Sequence, residues 1–414
     1  MVIQLSDLRQ QLNWFYSQIN RPPDGEAARG AAAMAALHAA VREREAEVSL
    51  IHRQIQQRAP DEPADRRSQL AMVEALDIAQ LQCDLGPDTA LVEYFTLDEE
   101  LLAFIVTNER VEVVRGLARE EQVEVALEQF RFQIGALRYS SDQLRGHLDQ
   151  LASRARHYLG MLYSLLLGPI EGRLGARRMI VVPHRALHYV PFHALYDGAA
   201  YVVERREVGY APSAAVLRYC QARPHQSLDH AVLLGLADEQ TPQVRAELAA
   251  LSALFPTATM LLDDQATLAA LHARAASADV LHLACHGQFR PDNPLFSSLR
   301  LADGWLTVRD AYSLELKNCG LVALSACETG TSAVAPGDEL IGLARGFFSA
   351  GAPSLLVSLW TVDDESTAAL MTTFYTRLRA GDRPAAALRY AQCELLHDHP
   401  HPFFWSPFVL LGRW

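Results

Sequence analysis

Asp279-Val-Leu-His-Leu-Ala-Cys-His-Gly-Gln288 decides how this chain folds. Val280 to Cys285 is a short apolar run, too brief for a core helix and bounded by polar residues, so it reads as a buried strand ending in a reactive side chain and a glycine. A second stretch, Leu321-Val-Ala-Leu-Ser-Ala-Cys-Glu-Thr-Gly330, has the same form. Around them strand and helix alternate. Ala231 to Leu236, Thr257 to Leu262 and Ser354 to Leu359 read as strands, and Gln243 to Phe255, Leu268 to Ala276, Glu339 to Ala350 and Glu365 to Ala380 as helices. Short elements in strict alternation imply parallel pairing with helices on both faces, a three-layer α/β/α sandwich.

Working back toward the N-terminus, the runs beginning at Ala90, Leu101 and Val111 are β-branched or aromatic and separated by polar turns, the pattern of successive antiparallel strands. Helical periodicity covers Glu120 to Leu167, and Met179-Ile-Val-Val-Pro183 is another buried strand, which makes a second α/β half. From Val2 to about Leu81 the pattern is helical, broken at Arg21-Pro-Pro-Asp-Gly25 and Ala59-Pro-Asp-Glu-Pro63. The expected organisation is a helical segment at 1–82, one α/β half at 85–225 and a second at 226–414.

The chain has 414 residues, half of them hydrophobic and 21% charged, so it has the apolar content for a large core and is not a disordered chain. Against 37 Lys and Arg stand 49 Asp and Glu, a net charge of −12 that repels phosphate backbones and anionic membranes. Nucleic acid and membrane are therefore not expected partners. Asp7 and Arg9 interrupt the start where a signal peptide would be apolar, and the six cysteines are scattered, so a cytoplasmic chain with reduced thiols is expected.

In a parallel sheet, side chains at the carboxyl ends of strands face the crevice where ligands bind. His286 and Cys327 both fall there. A thiol with a pKa near ~8.5 is mostly protonated at neutral pH, and an imidazole that takes its proton makes it a nucleophile. The same imidazole can return that proton to a leaving amine. Gly287, without a Cβ, lets its N–H approach a developing oxyanion beside the N–H of Cys327.

His-Gly closing one strand and Ala-Cys-x-x-Gly closing the next resemble the caspase-like cysteine peptidases. Leu283-Ala-Cys-His-Gly287 with Leu324-Ser-Ala-Cys-Glu-Thr-Gly330 resembles the CHAT branch of caspase- and separase-like modules, often found beside tetratricopeptide repeats. The His-to-Cys interval, 327 − 286 = 41, is near the roughly 50 of caspases. Val182-Pro-His-Arg-Ala-Leu-His-Tyr-Val-Pro-Phe-His-Ala-Leu195, Leu295 to Gly304, Gly337-Asp-Glu-Leu340, Ala350-Gly-Ala-Pro353 and Ser358-Leu-Trp-Thr-Val362 are similar to family blocks and follow in family order.

The resemblance implies a caspase-like active half preceded by a pseudo-caspase-like half. It implies a protein substrate, no cofactor, and gating by a regulatory or sensor protein through the helical N-terminus, in a bacterial signalling or defence setting. The separase pattern Leu-Trp-Asp-Val-Thr-Asp aligns with Leu359-Trp-Thr-Val-Asp-Asp364, departing at Thr361 and Asp363. On that alignment Asp364 holds a basic residue before the cut, with Asp338 as the second candidate.

Other readings compete. A lone cysteine is most often core, and Cys285, pointing away from His286 on a strand, is read as structural. His282 shares the His286 face and is read as packed. A metal site is disfavoured because His282 and Cys285 face opposite ways, and His397, His399 and His401 fall in a Pro-punctuated segment read as a solvated loop. His184, His188 and His193 read as core or turn residues. No G-x-G-x-x-G or G-x-x-x-x-G-K-[ST] fingerprint follows a strand. The rival from another class is a catalytically silent scaffold or signalling module that keeps the caspase-like shape.

Overall fold

The structure, a computed structural model, describes residues 8, 11–12, 14–15, 31–58, 76–138, 147–175, 177–224, 227–238, 241–288, 297–328 and 338–414. Within these, the side chains of 31–33, 35, 49, 52–58, 326–328 and 338–341 lie outside the described residues, those of Cys327 and Asp338 among them. Two compact units divide the chain, Met1–Glu74 with Thr329–Thr331, and Ala75–Glu328 with Ser332–Trp414. The first contains helix α1 (Ala31–Arg58), and buries Val41, Val48 and Ile51 of that helix together with Leu8 and Leu12.

The second unit opens with α2 (Ile78–Leu85), an antiparallel ribbon of β1 (Thr89–Leu97), β2 (Glu100–Val106) and β3 (Val111–Arg119), and helices α3 (Glu120–Arg138) and α4 (Leu148–Leu166). Strands β4 (Arg178–Val182) and β5 (Glu207–Tyr210) and helix α5 (Ala214–Gln221) follow. Beyond them the chain alternates through β6 (His230–Gly235), α6 (Val244–Ser252), β7 (Thr257–Leu262), α7 (Leu268–Ala275) and β8 (Val280–Gln288). Next come β9 (Ser298–Leu301), β10 (Gly304–Thr307), α8 (Val308–Tyr312), β11 (Leu321–Glu328), α9 (Asp338–Ala350), β12 (Ser354–Ser358), α10 (Asp364–Arg379), α11 (Pro384–Asp398) and β13 (Phe408–Gly412).

All thirteen strands belong to one mixed sheet in the order β10-β9-β8-β11-β12-β13-β5-β4-β1-β2-β3, with β6 paired on β8 and β7 on β6. The strands before residue 224 join those after it through the C-terminal strand. β13 runs antiparallel to β12 from Ser354↔Gly412 to Ser358↔Phe408, and its other edge takes β5 in parallel through Leu411↔Tyr210.

Both faces of the sheet are covered, which is why its central strands read as unbroken apolar runs. On β1, Leu91 packs with Ile180 and Val182 of β4 against Leu81 and Leu85 of α2 and Leu217 of α5. Ala90, Val92 and Tyr94, alternating with them, bury into the cluster that holds Phe130 of α3 and Leu159 of α4. In the C-terminal half, His282 of β8 meets Glu247 of α6 and Tyr375 of α10 on one face. The β7-to-β8 and β11-to-β12 crossovers run across the sheet in the sense opposite to β6-to-β7, so right-handed connections put α7 and α9 on the other face.

Two expectations are corrected. The C-terminal half is not wholly parallel, because β9 and β10 form an antiparallel hairpin and β13 returns antiparallel to β12. The hairpin has a two-residue connection at Ala302-Asp303, with the Asp-Gly signal of a tight turn in Asp303-Gly304. In the histidine-rich stretch His397 and His399 are exposed, but His397 lies in helix α11 rather than in a loop, and His401 is buried, its Nδ1 accepting the Phe403 N–H at 3.1 Å.

Burial pushes His401 down to about 4 from the usual 6.5. His193 is also pushed down to about 4 by burial, against a Ser406 carbonyl contact at 3.0 Å to its Nε2. Both rings stay neutral in the folded chain well below the pH at which the unfolded chain protonates them. Their contribution to stability is therefore complete above about pH 6.5 and is lost as pH falls toward 4, on the order of 2 kcal/mol each by pH 5. Melting temperature measured against pH should fall through this window, and His401→Phe should flatten the fall. An unchanged slope in that variant would contradict the assignment.

Candidate active site

The sheet has a switch point between β6 and β8. The chain leaves β6 to form α6 on one face, whereas the connection leading into β8 crosses on the other, and such divergence opens a crevice at the carboxyl ends of the two strands. On the far side of β8, β11 runs parallel in register from Leu321↔Val280 to Glu328↔Gly287, which makes Cys327 the register partner of His286. Gly287 and Gln288 also pair with Leu299 and Ser298 of β9, so the end of β8 is held from both sides.

His286 is 3% exposed. Its Nε2 lies 2.7 Å from Oδ2 of Asp238, just past the end of β6, while its Nδ1 is buried and has no hydrogen-bond partner among the described residues. An imidazole whose Nε2–H is given to a carboxylate presents a basic Nδ1 lone pair. Asp238 was not among the residues singled out from sequence. It directly follows Gly235-Leu-Ala237, three positions after Gly235, and the available signal was an acid just beyond the strand that neighbours a histidine-bearing strand. Gly235 helps to place it, since a Cβ there would lie 2.6 Å from Leu248 and 2.7 Å from Val244, so α6 packs directly on the end of β6.

The remaining candidates fall into place around this pair. His282 is fully buried and committed, with Nε2 3.1 Å from Glu247 and Nδ1 3.2 Å from the Tyr375 hydroxyl, so it does not orient His286. Cys285 is buried. Asp363 caps α10 by accepting the Ser366 N–H at 3.0 Å, and Asp364, the first residue of that helix, accepts the Gln243 N–H at 2.7 Å. Burial pushes the Asp364 carboxyl above the usual range, opposed by the Gln243 N–H; Glu247 and Asp363 push it the same way and His286 opposes. Asp364 is thus within electrostatic reach of His286. For Asp338 the structure gives only its place at the start of α9. Arg300 of β9 stands 3.8 Å from the Asp238 oxygen that meets His286. Among the described residues, no group of three His, Cys, Asp or Glu side chains is placed to hold a metal ion, and no helix is long and apolar enough to cross a membrane.

The CHAT domain family model matches residues 156–413, a span that contains the whole crevice. Mouse tetratricopeptide repeat protein 28 is 26% identical over 330 residues, 63% of this chain and 13% of that protein. The human protein of the same name is 35% identical over 109 residues, 26% of this chain and 4% of its own length. The chain therefore spans well under a fifth of either curated relative. Among solved structures, the Saccharomyces cerevisiae separase–securin complex superposes over 81% of this chain and 30% of that one, with a TM-score of 0.57 at 10% identity. The likeness establishes a caspase-like fold.

Burial also ranks the thiols. It pushes Cys220 and Cys319 up to about 12 and raises Cys393, so these three are poor nucleophiles at neutral pH, whereas Cys83 is exposed. Brief iodoacetamide treatment at pH 7 followed by peptide mapping should label Cys327 first, Cys83 next, and spare Cys220 and Cys319. Equal labelling of Cys327 and Cys83 would show that the imidazole does not activate the thiol.

Proposed function

Since the chain belongs to the CHAT domain family, we propose that it is a cysteine endopeptidase working through Cys327 and His286 with Asp238 behind the imidazole. One observation carries the reading. Cys327 is the register partner of His286, whose Nε2 is held at 2.7 Å by Asp238 and whose Nδ1 has no partner among the described residues. Nδ1 takes the thiol proton, and the thiolate attacks the scissile carbonyl carbon. The oxyanion is met by the N–H groups of Gly287 and Cys327. As the C–N bond breaks, Nδ1 returns its proton to the leaving amine, and a thioester remains on Cys327. Water, deprotonated by the same nitrogen, attacks that thioester and releases the acid, and the proton restores the thiol. Asp238 stabilises the imidazolium formed in both halves of the cycle.

For specificity, Asp364 is the carboxylate proposed to meet a basic residue before the cut. One of its oxygens is engaged by Gln243 and the other is left for a guanidinium or ammonium, with Asp338 as the alternative. Gating by a regulatory protein through the helical N-terminal unit, and action in the cytoplasm, belong to the same proposal.

New N-termini should be compared in cells expressing the native chain and Cys327→Ala. The native chain should generate cuts after Arg or Lys that Cys327→Ala and His286→Ala do not. Asp238→Ala should lower the rate by about 10²-fold, the size of a general acid–base contribution, and Asp364→Ala should relax the preference for a basic residue. Cuts that persist with Cys327→Ala would overturn the proposal. No cuts from the native chain, tested with its partners present in the cell, would favour the silent scaffold.

A further inference from the structure

A carboxylate that orients a catalytic imidazole must itself be held, because an Asp side chain free to rotate about its Cα–Cβ and Cβ–Cγ bonds points its oxygens over a wide cone. The structure shows how Asp238 is held. Its Oδ1, the oxygen turned away from His286, lies 3.2 Å from both the backbone N and the hydroxyl of Thr241; that N–H is shared with the Asp238 carbonyl at 3.3 Å, and the hydroxyl has the Leu236 carbonyl as a second, longer acceptor at 3.4 Å. The backbone N–H of Asp238 donates back to the same hydroxyl at 3.4 Å. Thr241 is 4% exposed, so water does not readily replace these bonds. With Oδ1 occupied, Oδ2 is left facing Nε2 of His286 at 2.7 Å.

The segment that carries this pair is tied down at both ends. On the β6 side, Leu236 donates to the Ala284 carbonyl of β8 at 3.0 Å and Ala237 to the Asp263 carboxylate at 3.2 Å. On the α6 side, Gln243 donates to Asp364 at 2.7 Å. One turn into α6, Glu247 is bonded to His282 of β8, the strand that carries His286. The loop backbone is thus referenced to β8 from two directions, and what remains to be set is the rotation of the carboxylate. The Arg300 guanidinium, 3.8 Å from Oδ2, is a second cationic neighbour of that oxygen.

We infer that Thr241 is a positioning residue for the Cys327–His286 centre, acting through its hydroxyl on Oδ1 of Asp238 to aim Oδ2 at His286. The inference deepens the peptidase reading and rests on it for its functional weight. A hydroxyl is required at this position. Serine supplies one, whereas valine has the shape of threonine without it and keeps the backbone N–H but not the hydroxyl on Oδ1.

The test reads the imidazole proton itself, in 15N-labelled full-length chain. In the native protein the Nε2–H of His286 should be a carboxylate-shifted resonance in slow exchange with water. Thr241→Val should exchange it about tenfold faster, the equivalent of one lost hydrogen bond of about 1.4 kcal/mol, and Thr241→Ser should stay within about twofold of native. Asp238→Ala should lose the resonance, and the double variant Asp238→Ala, Thr241→Val should differ from Asp238→Ala in neither this signal nor the iodoacetamide rate at Cys327. Should the valine variant not fold, Thr241→Ala measured against Thr241→Ser reads the same loss. Native-like exchange in the variant lacking the hydroxyl overturns the inference, as does a further loss of Cys327 reactivity when it is added to Asp238→Ala. A native Cys327 that alkylates no faster than Cys83 sinks the peptidase reading instead, and the proton exchange still decides the role of Thr241.

Discussion

The parallel ladder between β8 and β11 is the constraint on which the rest depends. Its register makes Cys327 and His286 neighbours, and a slip of one residue in either strand would turn one of the two to the opposite face of the sheet. That register is protected because both strands are buried apolar runs whose displacement would expose core side chains on both faces. All nine residues of β8 are buried. The proposed centre is thus held by packing well away from it.

Around that ladder the chain uses polar side chains to fix orientation. Glu247, His282 and Tyr375 form a buried set that locks α6 and α10 to β8. Buried polar groups of this kind cost stability unless each finds a partner, and here they do. Asp238 is engaged by the N–H and hydroxyl of Thr241 and Asp364 by the N–H of Gln243, and both carboxylates lie within electrostatic reach of His286. The β6–α6 segment, which the alternating pattern shows only as a turn, is tied at its β6 end to β8 and Asp263 and at its α6 end to Asp364.

Much of this was legible in the sequence. The strands carrying His286 and Cys327, and the helices that follow β6, β7, β11 and β12, are visible in apolar runs, because a strand buried on both faces has no polar positions to blur its limits. The β9–β10 hairpin and β13 were missed for different reasons. The hairpin is shorter than the window over which alternation can be judged, and β13 follows the Pro-interrupted stretch His401-Pro-Phe-Phe-Trp-Ser-Pro407, which gives no hint that the chain returns to the middle of the sheet. His401 was misjudged because proline marks a turn without saying whether the turn is exposed, and here the histidine is buried. Asp238 and Thr241 could not be chosen among many acids and hydroxyls until the sheet order made β6 the neighbour of β8.

Covalent capture tests the central claim most directly. A peptidyl chloromethyl ketone ending in arginine requires a thiolate, a neighbouring imidazole and a groove that accepts a basic residue, and the intact mass after incubation reports all three together. The account predicts a single adduct, mapped to Cys327, that does not form in His286→Ala. An adduct on another cysteine, or equal capture with and without the imidazole, would contradict it.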